Sequence, residues 1–324
     1  MDDLNMKELI KQNRINESQY IRLFALVVLI IVFTSMNKNL VSTMNISNIL
    51  GDIAPLLLLS TGVTLILIIG SMDLSIGSIC SFSVVLIATI LPSFGWWSFV
   101  VAILYGLGAG WLNGFLYVKL KVPSFIITLG MMGFWQSMAY LLASGAPLQI
   151  YPAQYMFIDW ARIKLGVVSL PFIIAIVVML AFYIMQKKTK LGKYTYAIGA
   201  NERAASLAGI NVNKTKMIVF MLSGLGSVMC GIVLGARLKS GIPNLGEPFT
   251  LLVYASVALG GTPLTGGRGS VIGSLIGVAF ITIINNGMNV IGVNAFWQSI
   301  VSGIIIILAI YTTVDRKNKS VIIK

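Results

Sequence analysis

The residues with the most chemical potential in this 324-residue chain are neutral amides inside strongly apolar segments. Apolar surroundings cannot satisfy an amide, so each one needs either an interhelical hydrogen bond or a place in the wall of a polar conduit. Asn285 and Asn289 are one helical turn apart and therefore face the same way. Both interpretations stay open for the candidate pathway residues, which are Asn113, Gln136, Asn285, Asn286 and Asn289.

Several other kinds of chemistry are excluded by what the sequence lacks. It contains no histidine, and its two cysteines, Cys80 and Cys230, fall inside apolar stretches. A histidine base, a usual zinc site and a disulfide framework are therefore excluded. No Gly-x-x-x-x-Gly-Lys-Ser/Thr phosphate loop occurs, so the chain does not bind ATP in the usual way. We expect no catalytic residue, metal or cofactor.

The polar stretch 186–216 carries the clearest local pattern. From Asn201 onward it predicts a short helix, because Asn201 can cap the start, Glu202 suits the first turn and Gly209 can end the helix in a left-handed conformation. The alanines between them give little apolar area for resting on lipid. A docking surface for a partner protein therefore fits better than an interfacial helix.

Asp73 lies in the motif Gly-Ser-Met-Asp-Leu-Ser-Ile-Gly-Ser at residues 70–78. An aspartate just before a helix is an ordinary N-terminal cap, since its carboxylate accepts backbone N–H groups and favours the positive end of the helix dipole. We expect this structural role, in a short inner loop between two spans. Acidic side chains or histidines at mid-membrane are typical of ion-driven carriers, and the hydropathy pattern places none there.

Composition indicates the elements that must hold these residues. With 57% hydrophobic and only 10% charged residues, the chain has too little polar surface for a water-soluble globule. Spans need about 20 apolar residues each. We predict an all-α integral membrane protein with about ten spans, the eighth short and interrupted: Tyr20–Met36, Ile46–Gly70, Leu74–Phe94, Trp96–Val118, Val122–Ala143, Val167–Met185, Met217–Gly235, Phe249–Thr262, Ser270–Val293 and Phe296–Val314.

Basic residues set the expected orientation. Lys and Arg accumulate in short cytoplasmic loops, and with the N-terminus inside, most of the 23 basic residues fall on the inner side. Both termini are then cytoplasmic. The expected organisation is an N-terminal segment (1–19), a membrane domain (20–314) that includes the inner loop 186–216, and a tail (315–324).

Glycines are frequent in several predicted spans, among them Gly106, Gly110 and Gly114 in the fourth and Gly224 in the seventh. Small residues let helix backbones approach closely. We expect these positions to pack one helix on another rather than to line a pathway.

The motifs together resemble the membrane permease subunits of ribose-type ATP-binding-cassette (ABC) sugar importers, within a broader group that includes branched-chain amino-acid permeases. Residues 70–78 are similar to the Gly-Gly-Ile-Asp-Leu-Ser-Val-Gly-Ser of that family, and residues 191–212 to its Leu-Gly-Arg-Tyr-x-Tyr-Ala-Leu-Gly-Gly-Asn-Glu segment. Residues 259–269 and 285–293 resemble two further motifs, in the same order. One departure is Leu252, which stands where the family often has an acidic residue.

The resemblance implies a homodimer in a bacterial cytoplasmic (inner) membrane, with ATP-binding-cassette ATPase subunits on its inner face and an extracytoplasmic sugar-binding protein outside. It implies no nucleic-acid partner. The chain would translocate ribose or a related monosaccharide, with branched-chain amino acids as the alternative substrate and an ion-coupled carrier as a remoter one. The implied coupling residues are Asn201, Glu202, Arg203, Ala204 and Gly209. The structural motif residues are Asp73, Ser75, Gly77, Ser78, Gly260, Gly261, Gly266 and Gly267.

Overall fold

The computed structural model describes residues 20–313, apart from a few side chains in the last helix. The predicted segments 1–19 and 315–324 lie outside the described residues. The helices are α1 (Tyr20–Met36), α2 (Thr43–Ile68), α3 (Ile76–Phe94), α4 (Trp97–Leu120), α5 (Ser124–Leu142), α6 (Tyr155–Ile158), α7 (Leu170–Lys188), α8 (Lys190–Ala200), α9 (Glu202–Leu207), α10 (Val212–Leu238), α11 (Phe249–Leu259), α12 (Val271–Val290) and α13 (Ala295–Thr313).

The long helices are those that hydropathy predicts. Within the described residues, seven helices are long and apolar enough to cross a membrane: α2, α3, α4, α5, α7, α10 and α12. Three shorter apolar helices, α1, α11 and α13, match the remaining predicted spans. The prediction of an all-helical membrane protein is confirmed at this level.

Helix α2 forms the centre of the bundle. It packs against α7, α10, α11 and α12, and 83% of its most apolar window is buried. By contrast, only 11% of the corresponding window of α5 is buried. The apolar core therefore lies around α2 and α10, and α5 presents most of its apolar side chains outward.

Glycines bring α4 and α10 into backbone contact. A Cβ added at Gly106 would lie 2.7 Å from the Gly224 carbonyl oxygen, and one added at Gly114 would lie 2.9 Å from the Met217 Cα. The expectation that these glycines pack helices is confirmed. Gly108, on the same helix, has no atom within 4 Å of such a Cβ and faces away from α10.

The connector between α2 and α3 (residues 69–75) turns back into the bundle. At its start the Gly267 N–H donates to the Ile68 carbonyl at 2.9 Å, near the end of the bundle that carries α9. Further along, the hydroxyl of Ser223, near the middle of the 27-residue α10, donates to Asp73 at 3.0 Å. The sequence predicts a short inner loop between two spans here. Instead the connector enters the bundle, and Asp73 is fully buried. Hydropathy detects the break but not its path.

A second break precedes α11, which has only 11 residues. The segment before it (residues 242–248, here the pre-helix segment) runs along α3. The Gly246 N–H donates to the Ser81 hydroxyl at 2.8 Å. Helix α11 ends at Leu259, just before Gly260 and Gly261, as expected of a short eighth span that stops there. The break ahead of α11 is not predicted from the sequence.

At the end of the bundle opposite α9, short elements cover the helix ends. They include four two-residue strands in two antiparallel pairs, β1 (Leu148–Gln149) with β4 (Ser240–Gly241) and β2 (Lys164–Leu165) with β3 (Val168–Ser169). A salt bridge of 2.6 Å between Lys239 and Asp159 ties this cover to the end of α10.

Candidate functional site

Helix α9 forms as the sequence predicts. The Asn201 side chain accepts a hydrogen bond from the Ala204 N–H at 3.0 Å and so caps the first turn. At the other end Gly209 has φ +81°, and the Ile210 N–H donates back to the Ala205 carbonyl at 3.1 Å. The predicted helix start and helix end are both confirmed.

The outward face of α9 is free within the described part of the chain. Asn201, Arg203 and Ala204 are exposed, and Leu207 is 84% exposed, although it is apolar. Ala205 alone in this helix is buried and anchors it. An exposed leucine beside an arginine on a rigid capped helix is suited to insertion into a partner protein.

Beneath α9, contacts lead into the bundle. Glu202 forms a 2.8 Å salt bridge with Lys216 of α10, whose side chain is 8% exposed. The Lys216 ammonium lies 4.6 Å from the centre of the Tyr117 ring of α4. The Ser71 hydroxyl of the connector in turn donates to the Tyr117 hydroxyl at 3.3 Å. A continuous series of contacts thus joins α9 to the connector.

The connector ends in a buried polar cluster around Asp73. One carboxylate oxygen accepts hydrogen bonds from the Ser75 N–H at 3.1 Å and the Ser75 hydroxyl at 2.6 Å. The other accepts from Ser223, and the Asp73 N–H donates to the Tyr254 hydroxyl at 2.7 Å. The expected cap on α3 is therefore wrong in detail, because Ser75 is the residue at the N-cap position and Asp73 fastens the connector to α10. The Asn113 amide donates to the Ser75 hydroxyl at 2.7 Å.

The two other residues of this motif hold the start of α3. The Ser78 hydroxyl donates to the Ser75 carbonyl at 2.8 Å. Gly77 faces the pre-helix segment, where an added Cβ would lie 2.6 Å from the Gly246 carbonyl oxygen. Both residues stabilise the meeting of α3 with the segment before α11.

The glycine motif residues lie between α11 and α12 at the α9 end. Gly266 and Gly267 have φ of +83° and +75°, where a Cβ would be strained. The Tyr196 hydroxyl of α8 donates to the Gly269 carbonyl at 2.6 Å, and burial raises the pKa of Tyr196 above its ordinary value. The loop thus joins α8 to the base of α2. Gly260 and Gly261 end α11 and lie beside Arg22 of α1.

The remaining candidate pathway amides are separated in space. The Asn286 and Asn45 side chains exchange hydrogen bonds of 2.7 and 3.0 Å. The Gln136 amide donates to the Pro243 carbonyl at 2.7 Å. Asn285 and Asn289 do face the same way, toward Ser302 at 3.3 Å and Gln298 at 2.7 Å on α13. Each of the five amide side chains makes at least one hydrogen bond, although the buried Asn113 carbonyl oxygen has no partner among the described residues. The structure does not bring the five together.

Comparison with known proteins identifies the family. Residues 45–310 match the family model described as "Branched-chain amino acid transport system / permease component". The chain belongs to this permease family. The permease is 36% identical to the ribose import permease protein RbsC of Bacillus subtilis (strain 168) over 299 residues, which is 91% of this chain and 92% of that protein.

Other relatives are similarly complete matches. RbsC of Escherichia coli (strain K12) is 36% identical to the permease over 92% of this chain and 93% of its own length. The galactose/methyl galactoside import permease protein MglC of Haemophilus influenzae is 32% identical over 94% of both chains. No solved structure matches. The permease is therefore a multi-pass, non-catalytic component of a transport system.

Sequence reasoning missed several functional candidates of the permease. The contacts that join α9, the connector and α11 are made by Lys216, Tyr117, Ser223 and Tyr254. Tyr117, Ser223 and Tyr254 lie in predicted spans that look simply apolar, and Lys216 is the last residue of the polar stretch 186–216. The signal available for Lys216 was a lysine next to the start of an apolar run. Within the described residues no group of three potential metal ligands occurs.

Proposed function

We propose that the permease carries a small neutral sugar, ribose or a related monosaccharide, into the cell by alternating access, powered by a separate ATPase. The observation that carries this proposal is the 36% identity to ribose import permeases over more than nine-tenths of the chain. The buried polar groups support it, because amides and hydroxyls can contact sugar hydroxyls without a fixed charge.

ATP-binding-cassette ATPase subunits would grip α9 through Asn201, Glu202, Arg203, Ala204 and Gly209. The exposed Leu207 beside them supports a protein partner. In this proposal the inner face is the α9 end, both termini are cytoplasmic, residues 20–314 form the membrane domain, and a second copy completes the pore in the bacterial cytoplasmic membrane. An extracytoplasmic sugar-binding protein delivers the substrate. Asn113, Gln136, Asn285, Asn286 and Asn289 are the proposed pathway residues.

Branched-chain amino acids are the second candidate substrate, because the family description names them. A zwitterion would need paired charges along its route. Within the described part of the chain, Asp73 and Lys216 are the only buried residues that carry charge, and both are bound within the bundle. The sugar is therefore favoured.

The test is uptake by liposomes that contain the permease, its ATPase and its binding protein, with ATP inside or outside. We expect labelled ribose to accumulate only when ATP is on the ATPase side of the membrane. Labelled leucine should not accumulate under either condition. Leucine uptake under the same conditions would replace the sugar assignment. Uptake driven by a proton or sodium gradient without ATP would overturn the ATP-powered mechanism.

A further inference from the structure

A cleft of about 330 Å³ lies at the end of the bundle opposite α9. It is bounded by the first turns of α2, the start of α7, the last turn of α10 and the strand β2. Because α2, α7 and α10 are long apolar helices, their ends lie where lipid headgroups meet the acyl chains. We call this site the outer cleft. Its polar lining residues are Ser47, Asn48, Arg162, Lys164, Ser169 and Arg237.

Positive charge is concentrated in the outer cleft. Arg237 forms a 2.9 Å salt bridge with Asp52. Arg162 and Lys164 are exposed, and neither has an ion-pair partner among the described residues. Basic residues are disfavoured on the outer side of a membrane protein. The charge pattern of the sequence places five there, Lys38, Arg162, Lys164, Arg237 and Lys239, and three of these line this one cleft. Such a concentration is suited to an anion.

Two unpaired hydroxyls line the same cleft. Ser47 and Ser169 are each only 6% exposed, and neither side-chain oxygen has a hydrogen-bond partner. Buried polar groups in folded proteins almost always have a partner. A bound oxyanion would accept a hydrogen bond from each hydroxyl, as well as from the guanidinium and ammonium groups nearby.

Apolar side chains border the cations. Ile163 and Leu165 alternate with Arg162 and Lys164 along the chain, lie outside the cleft lining and are 50% and 64% exposed. A soluble anion has no apolar part that could contact these side chains. A phospholipid carries acyl chains next to its phosphate, and these can contact them. We propose that the outer cleft binds the phosphate of an anionic phospholipid of the outer leaflet.

Native mass spectrometry of the full-length permease, titrated with single lipids, tests this proposal. We expect phosphatidylglycerol to bind at least about tenfold more tightly than a neutral galactolipid, since each basic residue near a lipid surface contributes about 1 kcal/mol. Equal affinity for the two lipids would overturn the proposal. Inorganic phosphate at millimolar concentration should not displace phosphatidylglycerol. If phosphate did displace the lipid, the cleft would be a site for a free anion instead.

Variants locate the binding. The double variant Arg162→Gln and Lys164→Gln should lose on the order of tenfold in phosphatidylglycerol affinity, and Ser169→Ala should weaken binding without altering the fold. Lys38→Gln, which removes another predicted outer cation away from the cleft, is the matched control and should bind as the unmodified chain does. Unchanged lipid binding by the double variant would overturn the assignment. So would a double variant that still binds the lipid but no longer binds the sugar-binding protein, because the occupant would then be a protein carboxylate.

Discussion

Lys216 is unusual because lysine side chains are seldom buried in folded proteins, and this one is. Its side chain is almost fully buried, and its ammonium contacts Glu202 on one side and the Tyr117 ring on the other. A buried charge is retained only when its partners compensate for lost water. In the proposed mechanism, a displacement of α9 would be passed through Lys216 and Tyr117 to the connector.

Replacing this residue tests the contact series. Lys216→Met keeps the length and apolar stem of the side chain but removes its charge, so we expect the fold to persist and the sugar transported per ATP hydrolysed to fall roughly fivefold or more. The measurement is paired uptake and phosphate release in liposomes. Lys214→Met, at an exposed neighbouring lysine, is the control and should leave this ratio unchanged. An unaltered ratio in Lys216→Met would disprove the role of the lysine.

The sequence could predict residues whose partners are close along the chain. Asn201 caps α9 through Ala204, three positions away, and Gly209 ends it by its own backbone conformation. The partner of Asn286 could not be found in the same way, since Asn45 is 241 positions distant. An amide in an apolar span predicts that a hydrogen bond exists but does not identify the residue that completes it.

At the scale of elements, the contact between α4 and α10 depends on the absence of side chains. A Cβ at Gly110 would meet the Phe220 carbonyl and lie 2.8 Å from the Met221 Cα. These are backbone atoms of α10, so relief requires the whole helix to shift.

This geometry makes a matched pair of variants informative. Gly110→Ala should destabilise the permease by about 1–3 kcal/mol, the usual effect of overpacking. Gly108→Ala, which points into open space, should be neutral or slightly stabilising because alanine favours helices. Thermal unfolding in detergent, followed by circular dichroism, measures both. Equal midpoints for the two variants would contradict the close packing.

Hydropathy predicted the helices because lipid exposure demands long apolar runs. It could not predict where the connector goes, since residues 69–75 contain both apolar and polar side chains and leave no periodic signal. Helix α8 was missed for a related reason: the expected helix began at Asn201, and Lys190–Ala200 was interpreted as part of a polar loop. Tertiary contacts such as that of Tyr196 with Gly269 decide its place.

At the scale of the whole molecule, the charge distribution predicts which end faces the cytoplasm. We expect cysteines introduced at Ser206 and after Lys324 to react with an impermeant maleimide only in inverted vesicles, and one at Lys164 only in intact cells. The natural Cys80 and Cys230 are buried and should contribute little background. Labelling of Ser206→Cys from outside would reverse the proposed orientation.

The pre-helix segment has a consequence for how the chain is made. Outside a helix, some of its peptide groups bond within local turns and others depend on side chains of other helices: the Gly246 N–H donates to Ser81 of α3, and the Pro243 carbonyl accepts from Gln136 of α5. Unpaired peptide groups are not tolerated in lipid. Helix α3 is synthesised long before this segment, so Ser81 is already in the membrane when residues 242–248 emerge from the translocon. For this segment, the order of synthesis places its α3 partner in the membrane first.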